Sequence, residues 1–88
     1  MKVRIGLGVG TRSGLTDPND LGRVAHGLER HGFDSLWFAE RLTGPLLDPV
    51  VAMSYVAGRT EKLKFGPSVM VLPGRNPVEV AKMLASLD

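Results

Sequence analysis

The stretch Asp34-Ser35-Leu36-Trp37-Phe38-Ala39 decides the fold that this sequence favours. Its last four residues are all apolar, whereas a strand with one face in water alternates apolar and polar side chains. A continuous apolar run is typical of a strand that is covered on both faces, as the strands of parallel sheets are. We therefore predict a β-strand over residues 34–39 and expect it to belong to a parallel sheet.

Two further strands are predicted, one on each side of this stretch in the chain. Residues 3–9 are apolar at every second position, with Ile5, Leu7 and Val9 on one face and Gly6 and Gly8 on the other. Residues 63–72 are apolar over much of their length and are interrupted by Pro67. The sequence thus predicts three short strands.

The same helix-start signal follows each strand, in the dipeptides Asp17-Pro18, Asp48-Pro49 and Asn76-Pro77. The Asp or Asn oxygen can accept a hydrogen bond from a free N–H of the first helical turn, and proline has no N–H to leave unbonded there. We predict helices over residues 18–31, 49–59 and 77–87, with the first ended by a left-handed Gly32.

The predicted order is therefore β-α-β-α-β-α with crossover helices, which makes the strands parallel. The second and third helices are apolar around most of their circumference, so each needs burial on two sides. A complete (β/α)₈ barrel takes about 250 residues, and this chain has 88. We predict an α/β fold in which residues 1–88 form the first three βα units, the N-terminal part of a single TIM-barrel domain. The alternative is a small self-contained α/β domain.

Composition narrows the classes of function. The net charge is +2 without a basic run, which does not indicate nucleic-acid binding. There are no cysteines, and we assign no metal site. The sequence shows no secretory signal and no apolar stretch near the roughly 20 residues that span a bilayer. We expect a soluble, cytoplasmic protein that binds neither nucleic acid nor membranes.

Several motifs together resemble the luciferase-like monooxygenase superfamily, especially its branch that uses the deazaflavin coenzyme F420. The resemblance extends over nearly the whole chain and is weak through residues 11–16. The matching pieces are Gly32-Phe33-Asp34-Ser35-Leu36-Trp37-Phe38-Ala39-Glu40, Asp48-Pro49, Arg59-Thr60-Glu61-Lys62-Leu63-Lys64-Phe65-Gly66, Arg75-Asn76-Pro77 and Ala81-Lys82-Met83-Leu84-Ala85-Ser86-Leu87-Asp88.

This resemblance implies an oxidoreductase that transfers a hydride between reduced F420, or alternatively FMN, and a small organic substrate. The cofactor would lie at the carboxyl ends of the barrel strands, facing loops 10–17, 40–48 and 71–76. The family also implies a homodimer. We expect the 88 residues alone to be inactive and to bind neither cofactor tightly. The alternative function is a non-catalytic assembly module that dimerises through its apolar helices.

The resemblance also implies roles for particular residues. Ser68 and Val69 lie where relatives have a cis peptide bond that is not before proline, which bears on the central ring of the cofactor. Glu40 and Arg41 end the second strand, near the reacting face, and we expect them to be the catalytic residues. Many relatives have histidine at the second of these positions, and an arginine cannot replace it as an acid or base at neutral pH. Arg41 could instead stabilise an anionic reduced cofactor or bind an acidic substrate group.

Glycines near the end of the first strand indicate close approach of backbone or ligand, and we assign Gly8 to the cofactor site. A dinucleotide-binding turn is the competing interpretation, but it requires G-x-G-x-x-G opening directly into a helix. Here the third glycine is missing and the helix begins only at Pro18. We expect His26 and His31 to be solvated surface residues, and Arg75 to form an ion pair at the start of the third helix.

Overall fold

Three strands alternate with three helices in the computed structural model, which describes residues 3–10 and 16–88. The elements in chain order are β1 (Gly6–Val9), α1 (Pro18–Arg30), β2 (Ser35–Phe38), α2 (Pro49–Ala57), β3 (Lys64–Pro67) and α3 (Pro77–Leu87).

The sheet has the order β1-β2-β3, and both pairs of neighbours are parallel. Its register aligns the strand ends: Val9 pairs with Phe38, and Phe38 pairs with Pro67. The predicted α/β class and parallel sheet are confirmed. Because all three strands point the same way, the segments that follow them emerge along one edge of the sheet.

All three predicted helix starts are confirmed by their side-chain hydrogen bonds. Asp17 accepts from the N–H of residue 19, Asp48 from those of residues 50 and 51, and Asn76 from those of residues 78 and 79. The third helix has the predicted bounds, whereas the first two end one and two residues earlier than predicted. Gly32 follows α1 with a φ of 78°, the left-handed conformation that was expected.

The strands are shorter than predicted, and the error is largest in β3. Pairing ends when the Ser68 N–H donates to the Phe38 carbonyl at 2.5 Å. Beyond it, the N–H of Val71 donates to the side chain of Glu40 instead of to a strand. The prediction of strand structure over residues 69–72 was therefore wrong, because an apolar run does not show which acceptor its N–H groups will find. Strand β1 is also shorter than predicted, because it begins at Gly6 and not at residue 3.

The core lies between the sheet and the helices. Leu36 in the central strand and Val56 in α2 are fully buried, and Phe38 is 4% exposed on the same side of the sheet. Gly22 lets α1 approach α2 closely, since a Cβ there would lie 3.2 Å from the Tyr55 hydroxyl. The buried hydrophobic cluster consists of Val9, Leu21, Ala25, Leu28, Leu36, Phe38, Ala52, Met53, Val56 and Leu63.

The opposite face of the sheet carries the row Gly8, Trp37 and Gly66. The Trp37 ring lies against Gly66, where an added Cβ would come within 2.9 Å of it. Trp37 is 43% exposed, whereas its neighbour Phe38 is buried. The two aromatic side chains therefore point to opposite faces, as expected of consecutive residues in a strand.

Among the described residues, no helix has the length and apolar character needed to cross a membrane. Nor does that part of the chain hold a cluster of three or more metal-binding side chains.

Candidate functional site

The polar cluster of this molecule lies beyond the carboxyl ends of β2 and β3. Two of the three predicted loops, 40–48 and 71–76, come together there through side chains of Glu40, Asp48 and Arg75. Most of the remaining loop, residues 11–15, lies outside the described residues. The arrangement follows from the parallel topology, which brings consecutive strand ends to one edge.

Glu40 is the most enclosed carboxylate of this cluster, with its side chain 3% exposed. Oε2 accepts a hydrogen bond from the N–H of Val71 at 2.7 Å, and Oε1 accepts one from Nη2 of Arg75 at 2.5 Å. A buried carboxylate requires such partners, because an unpaired charge is costly to remove from water. Glu40 thus joins the end of β2 to the segment after β3.

Arg75 is presented by a tight turn. Its N–H donates to the carbonyl of Leu72 at 2.9 Å, and Gly74 between them has a φ of 88°. Proline at position 73 followed by a glycine of positive φ is typical of a type II turn. Nη2 then reaches Glu40 and also Asp48, at 2.9 Å. The ion pair that we expected at the start of the third helix is confirmed as a pairing with these two carboxylates.

Asp48 uses its two oxygens for different purposes. Oδ2 accepts the N–H groups that open α2, while Oδ1 accepts from Arg75. Partial burial raises the pKa of Asp48, but hydrogen bonds from Arg75 and from the N–H of Val51 outweigh it, so the pKa lies below its usual value. The same two carboxylates raise the pKa of Arg75 further above its usual value. Mutual stabilisation of the charged forms fixes the geometry of the cluster.

The other predicted site residues lie around this cluster. The Ser68–Val69 bond is cis, as predicted, and Val69 is 77% exposed. Arg41 is also exposed, and no described carboxylate lies within ion-pair distance of it. Arg41 therefore has no ion-pair partner in the part of the chain that the structure describes, whereas Arg75 is paired with two carboxylates.

Gly8 lies on the open face of the sheet near the end of β1. A Cβ built on Gly8 or on Gly10 would meet no described atom within 4 Å. At Gly6, by contrast, a Cβ would collide with Oγ of Ser35. The close approach that the glycines indicate is therefore a contact within the protein at Gly6. Space remains above Gly8.

His26 and His31 are exposed, as expected. The Nε2 of His26 lies 3.1 Å from the carbonyl oxygen of Arg59, so it links α1 to the end of α2. The competing dinucleotide motif falls in part on residues 11–13, outside the described residues.

Sequence reasoning missed the carboxylate of Glu29, in the last turn of α1. Its oxygens accept from the N–H groups of Glu61, Lys62 and Leu63, with donor–acceptor distances of 2.7 to 2.9 Å at Oε2. These bonds hold the loop before β3, at the end of the sheet away from the cluster. One signal was available, since an acidic residue is disfavoured at a helix C-terminus unless another partner stabilises it.

Polar side chains gathered beyond the carboxyl ends of parallel strands lie at the edge of the sheet where α/β proteins place their sites. Residues 1–88 match the family described as luciferase-like monooxygenase, and the chain belongs to that family.

Three of the relatives that this chain resembles are named as monooxygenases. The chain is 38% identical to the alkanal monooxygenase alpha chain of Photorhabdus luminescens over 71 residues, which are 77% of this chain and 19% of that protein. It is 38% identical to limonene 1,2-monooxygenase of Rhodococcus erythropolis over 72 residues, 78% of this chain and 18% of that protein. Against 4-hydroxyprotoasukamycin monooxygenase of Streptomyces nodosus subsp. asukaensis, 30% of 83 residues are identical, covering 91% of this chain and 22% of that protein. The chain thus spans about a fifth of the length of these curated relatives.

Proposed function

We propose that residues 1–88 form the first three βα units of a (β/α)₈ barrel oxidoreductase. The single observation that carries this proposal is the parallel, in-register sheet whose ends bring Glu40, Asp48 and Arg75 together. Enzymes built on this barrel keep their active sites at that edge.

Uncovered apolar surface on both sides of the sheet supports a larger barrel. On the side of β1, Val3 is 75% exposed, Ile5 57% and Leu7 39%. Beside β3 lies a groove of about 450 Å³, lined in part by Met53 and Leu84. Further strands and helices of a barrel would cover both regions, and would give α3 a second helix neighbour besides α2.

The cofactor we propose is reduced F420, with FMN as the alternative, and the substrate is a small organic molecule. When bound, the cofactor would supply the reducing equivalents as a hydride. The described residues fit such a group, because the face above Gly8 is open and Val69 is exposed beyond the carboxyl end of β3. The backbone of Ser68 and Val69 would bear on the ring, and Gly8 would leave it room. Arg41 would hold a negative charge on the cofactor or substrate.

A hybrid enzyme tests this function. In it, the present chain replaces the matching segment of the Rhodococcus limonene 1,2-monooxygenase. We expect the hybrid to bind FMN or F420 in a fluorescence titration, whereas the 88 residues alone show no micromolar affinity. The variant Gly8→Leu should weaken binding at least tenfold, about 1.4 kcal/mol, because its side chain fills the open face.

The matched control is Gly27→Leu, on α1, where an added Cβ also meets no described atom within 4 Å. This variant should bind like the parent hybrid. A folded hybrid that bound neither cofactor, or in which both leucine variants behaved alike, would contradict the proposed site.

Two exposed valines favour a second candidate function, an assembly module that forms a homodimer. Val51 on α2 is 63% exposed and Val78 on α3 is 76% exposed, so each of these apolar helices presents a hydrophobic side chain that a partner could cover. We expect light scattering to give twice the monomer mass, and the double variant Val51→Lys/Val78→Lys to give a monomer. A monomeric parent protein would count against this interface.

A further inference from the structure

Two side chains bind both backbone groups of one residue in the loop after β3. The N–H of Val71 donates to Glu40, and the carbonyl of Val71 accepts from Nε of Arg75 at 3.2 Å. Arg75 and Glu40 also bind each other. The three residues therefore close a ring of hydrogen bonds, here called the Glu40–Arg75 ring.

Glu40 has no free oxygen that faces solvent. Both oxygens are engaged within the ring, and the side chain is 3% exposed. A group that transfers a proton to a substrate must reach the reacting atom, directly or through one water. Arg41, the next residue, is exposed instead. The burial of Glu40 thus favours a role in which its side chain does not touch the substrate.

Arginine suits this ring because its planar fork offers several donors in fixed directions. Nε binds Val71 while Nη2 binds both Glu40 and Asp48. Since Asp48 also caps α2, the ring connects the end of β2, the start of α2 and the segment after β3. One guanidinium faces two carboxylates, so Arg75 is unsuited to binding an anionic ligand as well.

We propose that Glu40 and Arg75 are positioning residues that hold the backbone at Val71, and with it Ser68 and Val69, against the cofactor face. Glu40 takes no part in proton transfer. The claim that these residues position the cofactor face rests on the proposed function. The hydrogen bonds of the Glu40–Arg75 ring can be tested without any cofactor.

Amide hydrogen exchange of the 88-residue chain, followed by NMR, measures the ring directly. In Glu40→Ala and in Arg75→Ala the amide of Val71 should exchange about tenfold faster, as expected on loss of a hydrogen bond to a charged group. The amide of Lys62, which donates to Glu29 in the loop before β3, should keep its rate, because both loops open locally without unfolding of the sheet. The conservative variant Glu40→Gln should restore most of the protection, because its amide oxygen can still accept from Val71.

The control is Arg23→Ala, which removes an exposed arginine paired with Asp20 on α1 and should leave Val71 unchanged. Equal acceleration at Val71 and Lys62 would mean general loosening and would overturn the ring, as would unchanged exchange at Val71 in Glu40→Ala. Absence of protection at both amides in the parent chain would also contradict it.

Turnover by the hybrid enzyme tests the claim about proton transfer. We expect Glu40→Gln to keep turnover within about tenfold of the parent and to preserve its pH profile. A loss of a hundredfold or more, within the range typical of a missing acid or base, would overturn the positioning role if Val71 stayed protected. Failure to bind cofactor would instead contradict the proposed function, since the exchange measurement requires none.

Discussion

Two glutamates perform related tasks at opposite ends of the sheet, and their surroundings differ. Glu29 accepts three backbone N–H groups from the loop before β3 and has no ion-pair partner among the described residues. Glu40 accepts one N–H from the segment after β3 and is paired with Arg75. Both carboxylates join neighbouring βα units by binding the backbone of a loop.

The difference follows from burial. Glu29 lies at the surface, where water and three N–H groups together solvate its charge, and the N–H groups of Lys62 and Leu63 hold its pKa below the usual value. Glu40 is enclosed and has an arginine to balance it. In barrel folds the amino ends of the strands serve stability and the carboxyl ends serve function. We infer that Glu29 stabilises the fold, whereas Glu40 shapes the site.

Removal of Glu40 should have the largest effect. Glu40→Ala leaves the N–H of Val71 without its acceptor, while Arg75 keeps Asp48 as its remaining carboxylate partner. We expect a loss of about 2 kcal/mol in the free energy of unfolding, as when a hydrogen bond to a charged group is lost at an enclosed place. Urea denaturation measures this loss. A change under about 0.5 kcal/mol would contradict the claim that Glu40, unlike Glu29, is an enclosed and paired carboxylate.

Removal of Glu29 should have a smaller effect on stability and a more local one. In Glu29→Ala, the amides of Glu61, Lys62 and Leu63 should exchange faster, while Val71 keeps its rate. The control Glu61→Ala removes a neighbouring carboxylate and retains all three N–H groups. Equal effects of these two variants on melting temperature would show that the hydrogen bonds of Glu29 contribute nothing.

Asp48 and Asp17 form a matched pair of helix caps, because only Asp48 also binds Arg75. Replacement by asparagine preserves a good cap in both. Asp48→Asn should therefore cost about 0.5 kcal/mol, a value within the range for ion pairs that water screens, whereas Asp17→Asn should be neutral. Thermal unfolding measures the stability of both variants. A larger loss in Asp17→Asn than in Asp48→Asn would contradict the stabilising role of the Asp48–Arg75 pair.

The smallest effect concerns acid pH. The pKa values of Glu29 and Asp48 are both lowered in the folded protein. Each group therefore contributes stability that is complete above its unfolded pKa and is lost as the pH falls through its folded pKa. We expect the melting temperature to fall below about pH 4, and Glu29→Gln to flatten this fall. An unchanged profile in Glu29→Gln would contradict the cause we assign.

Local signals in the sequence correctly predicted the helix starts and the parallel sheet. The capping dipeptides located all three helix starts, since a cap and a proline act within one helical turn. The continuous apolar run around Trp37 predicted the parallel sheet. The resemblance to relatives located the cis bond at Ser68, which the apolar pattern alone does not indicate.

Long-range hydrogen bonds could not be predicted in the same way. Strand β3 ends at Pro67 because the N–H of Val71 bonds to Glu40, 31 positions away. Glu29 binds residues 32 to 34 positions away. Such pairings depend on how the units pack, and they decide which carboxylates belong to the candidate site. The roles of Arg41, Gly8 and Val69 toward a cofactor stay predictions.

Chemical shifts of the backbone amides in the hybrid enzyme, recorded while FMN or F420 is added, test most directly which end of the sheet faces the cofactor. The prediction is that the signals of Gly8, Val69 and Val71 move while those of residues 61–63 stay in place. Shifts confined to residues 61–63, or none at the carboxyl ends of the strands, would contradict the proposed site.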